Sequence, residues 1–246
     1  MQAGQLEHAI STIRVRFGSQ ALTRAGELPP PQPWPSRTPL DHLSGIEGLP
    51  RGRLTLLTGS GTCGKLTLAL ALLAAATHDF AHAVVIDTRG GFDPWALLPF
   101  DPELNSLAVV RLDPEPSGEA ATALARAGAG LILLMGEVPE PWLGPLEASA
   151  NRSGTVLVGV VDKPGRAFAH ASSLSLGFAR TEWVYDRGQL VGLKTIARCL
   201  KNRVAAPIGE SELEIHYPLG PKLSLSSPVI EMASPIEELE CASAVV

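Results

Sequence analysis

Cysteine is scarce in this chain. Cys63, Cys199 and Cys241 are odd in number, widely spaced and free of any CxxC pair. A disulfide framework is therefore not expected, and a reducing cytoplasm fits. Aromatic residues make up only 5%, so Val, Leu, Ala and Ile must supply most of the core. Trp34, Trp95, Trp142 and Trp183 follow no periodic stripe, which removes a base-stacking platform from consideration. No apolar run reaches the roughly 20 residues of a membrane span, and no apolar leader opens the sequence. An excess of positive charge is also missing. The net charge of −5 argues against a wholly basic nucleic-acid coat while leaving room for a local basic groove. His78 and His82, four residues apart, have no evident third ligand, so no metal site is expected.

What is present is organised around residues 54–70. An apolar run, Leu54-Thr55-Leu56-Leu57-Thr58, meets a turn made of Gly59, Ser60, Gly61, Thr62, Cys63 and Gly64. Lys65, Leu66 and Thr67 then open an Ala/Leu-rich helix. Gly59, four residues, Gly64 and Lys65 form a P-loop pattern with the strand before it and the helix after it. In such a loop backbone N–H groups wrap phosphate oxygens and the helix N-terminus adds partial positive charge. Lys65 would reach the outer phosphates. The residue after the lysine ordinarily carries a hydroxyl for Mg²⁺, and here it is Leu66. Thr67 follows, but one helical step is a turn of about 100°, so its hydroxyl is expected to point elsewhere.

Residues 5–17 space Leu6, Ile10, Ile13 and Phe17 as one face of a short helix. Periodicity leaves open whether that helix folds back on its own domain or docks on a neighbour. Residues 28–39 contain six prolines, at 29, 30, 31, 33, 35 and 39, and read as an extended spacer. A turn and short helix at 38–43 follow. Beyond the P-loop the pattern alternates: strands at 83–87, 107–112, 131–135 and 155–161, with helices at 118–127 and 143–150. That alternation predicts a mostly parallel sheet covered by helices. Residues 178–186 and 190–203 flank Arg187-Gly188-Gln189 and read as a hairpin, with a last strand at 212–217. The organisation is thus an N-terminal helix and linker over 1–37, an α/β core over 38–222 and a Ser-, Pro- and Glu-rich disordered acidic tail over 223–246.

Three stretches carry a resemblance. They are Phe17-Gly18-Ser19-Gln20-Ala21-Leu22-Thr23-Arg24-Ala25-Gly26-Glu27, then Gly48-Leu49-Pro50-Arg51-Gly52-Arg53 ahead of the P-loop, and Lys201-Asn202-Arg203-Val204-Ala205-Ala206-Pro207. With the order of elements they make the chain resemble the RecA recombinase family, from near its start to about Tyr217. The resemblance implies a RecA-like P-loop NTPase core, head-to-tail assembly, and Lys201 and Arg203 reaching a neighbour's ATP. It also implies that Asp93, with Pro94, frames the adenine. The family's C-terminal domain has no counterpart.

The resemblance equally marks departures. The family's catalytic Glu after the next strand falls at Arg89, its Mg²⁺-supporting Asp at Met135 with Gly136 and Glu137 beyond, and its γ-phosphate-sensing Gln at Asp162. Losing one oriented group commonly costs ~10²–10³ in rate, so four changes together imply little hydrolysis and no catalytic residue to name. ATP binding is expected to be weak or structural, with Mg²⁺ poorly held. Two DNA-contacting loops are implied: one at 137–152, truncated and Pro-rich, and one at 163–175 carrying Lys163, Arg166 and His170.

The favoured expectation is a non-hydrolysing RecA-like accessory protein of DNA repair or damage-tolerant synthesis, close to accessory proteins of the ImuA type. It would assemble with a recombinase, a specialised DNA polymerase or itself, with weak single-stranded DNA contact and no membrane. The alternative is an ATP-dependent recombinase that coats single-stranded DNA. A third reading is a nucleotide-sensing regulator.

Overall fold

The computed structural model describes residues 2–18, 32–206, 209–216 and 222–225. Two units are distinguished, Met1–Gln32 and Pro33–Val246. The first contains helix α1, Gln2–Phe17, with Arg14 and Arg16 in its last turn, where cations favour the helix dipole. Ile10 and Ile13 are half-buried and Val15 is exposed. The side chains of Leu6 and Phe17 lie outside the described residues, as do residues 19–31 of the family-like segment and of the Pro-rich spacer.

The second unit opens with β1 (Pro33–Trp34), α2 (Leu40–Leu43), β2 (Leu49–Pro50) and β3 (Leu54–Thr58). It continues through α3 (Lys65–Asp79), β4 (Ala83–Asp87), a 3₁₀ helix at Pro94–Phe100 and β5 (Leu107–Arg111). Next come α4 (Pro114–Arg126), β6 (Leu131–Met135), α5 (Glu140–Ser153), β7 (Val156–Val161) and α6 (Arg166–Ala171). The last described strands are β8 (Leu174–Asp186), β9 (Gln189–Asn202), β10 (Glu210–His216) and β11 (Lys222–Leu225). Nine strands form one sheet in the order β11-β10-β9-β8-β3-β7-β6-β4-β5. From β5 to β8 every pairing is parallel, and from β8 to β11 every pairing is antiparallel. This is the α/β core with hairpin extension that the pattern predicts.

β3, β4, β6 and β7 are buried at every position, which is why they read as unbroken Val/Leu/Ile runs rather than alternations. Two cores lie on the two sheet faces. One gathers α2, α3 and the 3₁₀ helix with inward residues of β8, β9 and β10. The other gathers α4, α5 and Phe168 of α6. α4 and α5 approach so closely that a Cβ on Gly118 would meet the Trp142 side chain, so glycine is required there.

Several expectations are corrected. The helix predicted at 118–127 starts earlier, at Pro114, because proline is suited to a first helical turn. The supposed loop at 137–152 is mostly α5, with Pro141 in its first turn and Pro145 inside it. The helix expected at 143–150 is thus present but longer at both ends, and Leu143, Leu146 and Ala150 place one apolar stripe on the core. The second supposed loop, 163–175, contains α6, and β8 begins at Leu174 rather than at 178. Residues 222–225 pair with β10, so the sheet extends into the start of the segment read as tail; residues 226–246 lie outside the described residues.

The spacer is also shorter than expected. Pro33 and Trp34 pair with Pro50 and Leu49. Trp34 is 1% exposed, donates its indole N–H to Asp79 Oδ2 at 2.8 Å and lies 5.3 Å from the Phe80 ring. Packing of one large aromatic thus ends the extended segment at its edge. Trp34→Ala should lower unfolding stability by about 3–5 kcal/mol, read as a shift in the urea midpoint, with Trp34→Phe losing less. A midpoint unchanged in the alanine variant would show that Trp34 does not anchor the unit.

Candidate functional site

β3 runs between β7 and β8, and the chain leaves β3 toward α3 at the carboxyl edge of the sheet. β4 is reached only after crossing β7 and β6, so the connections diverge on either side of β3. Ligands bind at such switch points in open α/β sheets. The turn after β3 opens a cleft of about 320 Å³ lined by Gly61 to Thr67, Arg89, Met135, Val160 and Asp162.

Local chemistry explains the turn. Gly64 stands at φ +86°, the left-handed region, directly before the first residue of α3. A Cβ there would lie 2.6 Å from Ile215 Cδ1 of β10, so the loop also needs glycine to fit under the antiparallel strands. Because α3 begins at Lys65, its first N–H groups have no carbonyl partner within the helix and face the cleft. This is a cradle that fits a phosphate group. From β8, Arg180 donates to the carbonyl oxygen of Thr62 at 3.1 Å and stacks 4.2 Å over Trp183, bracing the turn from outside.

Lys65 is buried and its Nζ is engaged. It donates to Asp162 Oδ1 at 2.7 Å and to the carbonyl oxygen of Gly59. The hydrogen bond and charge of Lys65 hold the Asp162 carboxyl below its ordinary range, and Arg89 adds to that effect. Leu66 is 40% exposed and lines the cleft where a hydroxyl would be wanted. Thr67 lines the same cleft. Met135 ends β6 beside Val160, so the carboxyl edge here is apolar. Among the described residues no cluster of three His, Cys, Asp or Glu could hold a metal ion. The backbone N–H groups of the turn and Lys65 form a donor set that fits phosphate.

Two carboxylates near the cleft hold backbone in place. Asp87 ends β4 and is 1% exposed. Its oxygens accept from the N–H groups of Phe92 at 2.9 Å, Arg89 at 3.0 Å and Gly91 at 3.3 Å. Burial pushes this carboxyl up, but those N–H groups together outweigh it and leave it below its ordinary range. Glu137 Oε1 accepts from the N–H of Gly165 at 2.7 Å, closing the turn after β7. Asp87 and Arg180 escaped the sequence reading. The Asp87-Thr88-Arg89-Gly90-Gly91 run at the end of a buried strand was the available signal for the first, and nothing local marks the second.

The other expected site residues are more dispersed. Asp93 is exposed, accepts from the N–H of Trp95 at 3.0 Å and caps the 3₁₀ helix. Lys201 Nζ donates to the carbonyl oxygens of Ala169 at 2.7 Å and His170 at 2.9 Å, capping α6 within its own chain. Burial and the Arg203 charge lower its pKa. Asn202 donates to the carbonyl oxygen of Ser44 at 2.8 Å and accepts from the N–H groups of Val204 and Ala205. Arg203 is exposed. Lys163, Arg166 and His170 are exposed on α6 or just before it, with Arg166 and His170 one turn apart.

Residues 4–138 match the family model described as the RecA N-terminal domain, more than half of the chain. The chain belongs to the RecA family. It is 30% identical over 260 residues to Protein RecA of Thermus aquaticus, an alignment covering 87% of this chain and 76% of that one. It is 28% identical over 276 residues to Protein RecA of Chlorobaculum tepidum, covering 93% and 78%. Within this RecA-family chain the matched region runs from α1 to the end of β6 and includes the phosphate cradle, Arg89 and Asp87. No helix among the described residues is long and apolar enough to cross a membrane.

The Asp87 contacts make a pH prediction. A depressed folded pKa contributes stability that is present above the unfolded value of about 3.9 and lost as pH falls through the folded value. Asp87→Asn should cost roughly 1.5–3 kcal/mol at pH 7, the scale of hydrogen bonds to a charged group. It should also flatten the fall of the unfolding midpoint between about pH 5 and pH 2. An Asn variant with wild-type pH dependence would remove Asp87 from that role.

Proposed function

We propose that this RecA-family protein serves DNA repair, recombination or damage-tolerant DNA synthesis as a nucleotide-binding accessory that does not turn ATP over. One observation carries the reading. The cleft keeps the phosphate cradle and its lysine, while Leu66, Arg89 and Met135 occupy the places where the family's metal and water-activating groups are implied. Phosphoryl transfer depends almost wholly on positioning and charge neutralisation, so an apolar edge and an arginine in place of carboxylates favour binding over hydrolysis. ATP is the nucleotide the family suggests, held without a well-formed Mg²⁺ site.

The partners this reading favours are a RecA-type recombinase, a specialised polymerase of an SOS-type damage response, or a second copy of the chain. Single-stranded DNA contact would run through Lys163, Arg166 and His170. Three surface groups make such binding weak and salt-dependent. The converse reading, an ATP-driven recombinase, is tested directly. Phosphate release in the presence of single-stranded DNA should stay far below the ~1 s⁻¹ of ordinary enzymes. Turnover at that rate would overturn the accessory reading, and so would its appearance after Leu66→Thr alone.

The retained motif at 201–207 refines how association is tested. A protomer with altered metal and water-activating positions at Leu66, Arg89 and Met135 but retained trans-acting cations would complete a neighbour's ATP site on one side and cap growth on the other. Lys201 is already bonded to α6, so its removal would loosen that helix. Arg203, exposed beside it, is the group to change. Arg203→Ala should abolish co-sedimentation with recombinase filaments that depends on a non-hydrolysable ATP analogue, with the unfolding midpoint unchanged. Undiminished co-sedimentation would discard the cap arrangement.

A further inference from the structure

A P-loop lysine ordinarily bonds the outer two phosphates of a triphosphate. Here a carboxylate of the same chain already holds that lysine. Asp162 Oδ1 lies 2.7 Å from Lys65 Nζ. It is not a wandering surface group. The Asp162 carbonyl oxygen accepts the N–H of Gly59, the first glycine of the cradle, at 3.2 Å. Three residues on, Gly165 is tied to Glu137 at 2.7 Å. The turn that carries Asp162 is therefore fastened at both ends, and its side chain forms part of the cleft wall beside Arg89.

We propose that Asp162 stands where the last phosphate of a triphosphate would go, so that the cradle selects nucleoside diphosphates over triphosphates. The inference rests on the nucleotide-binding reading above and names the ligand class of that same site. A third phosphate would have to displace the carboxylate from Lys65 and then lie against it, one anion beside another. A diphosphate avoids that exchange. Its two phosphates occupy the turn and the N-terminus of α3, where the unpartnered N–H groups are, and its terminal oxygens approach Lys65 and Arg89 with Asp162 left in place. Asp162 also neutralises the lysine whose charge would otherwise draw the more highly charged ligand. Its side chain is 60% exposed, so water screens the repulsion and the expected preference is moderate, about tenfold or somewhat more.

The test uses the full chain and titrates ADP, ATP, pyrophosphate and tripolyphosphate by calorimetry at fixed ionic strength without added Mg²⁺. Wild type should bind ADP about tenfold more tightly than ATP, and pyrophosphate more tightly than tripolyphosphate by a similar factor. Asp162→Asn, which keeps the shape and removes the charge, should bring both ratios close to one, chiefly by tightening the triphosphate. Asp162→Gln should do the same and guards against a fold defect in the first variant. Equal affinities in wild type overturn the inference and leave the nucleotide reading standing, as does a preference that persists in both variants. Failure of all four ligands to bind wild type overturns the nucleotide reading and the inference with it.

Discussion

The parallel pairing of β3 between β7 and β8 is the constraint on which the rest depends. It places the end of β3 against the end of β7 and the first part of β8, with Thr58 opposite Val161 and Gly177. From that register the phosphate cradle, the Asp162 turn and the braced Arg180 follow as near neighbours, although they are separated by about a hundred residues of chain. The same register brings Leu193, Thr195 and Ile215 of the antiparallel strands under Gly64. The cradle is thereby a packed junction between the parallel and antiparallel halves of one sheet rather than a free loop.

A second theme is the employment of charge. Four of the ionisable groups discussed above are bonded to protein. Lys65 is held by Asp162, Asp87 by three N–H groups, Glu137 by Gly165, and Lys201 by the end of α6. Each contact fixes backbone that a mobile catalytic or DNA-binding element would need to release. α5 and α6 point the same way, since helices occupy the two segments that resemblance implies as open loops.

The fold was largely legible because its signals are local and repeated. Unbroken apolar runs at β3, β4, β6 and β7 announce strands buried on both faces, and Arg187-Gly188 announces the hairpin. Misreadings occurred where local chemistry competes with tertiary packing. The helix expected at 143–150 in fact fills 140–153, the stretch that resemblance implies as an open loop, because Leu143, Leu146 and Ala150 bury one face of α5 despite Pro145. Pro33 argues for an extended spacer, yet Trp34 finds a pocket beside Phe80 and Asp79.

What the sequence determined by itself is that the cradle exists: Gly59, Gly64 and Lys65 stand at a spacing that a strand-to-helix turn converts into cleft-facing N–H groups. It also determined what the cradle lacks, since Leu66 can offer no hydroxyl in any fold. Only the tertiary structure decided which partners the charged groups take. Lys65 with Asp162 and Lys201 with α6 are pairings across 97 and about 30 residues. A charged side chain is satisfied by whatever lies within about 3 Å of it, and only strand register decides what that is.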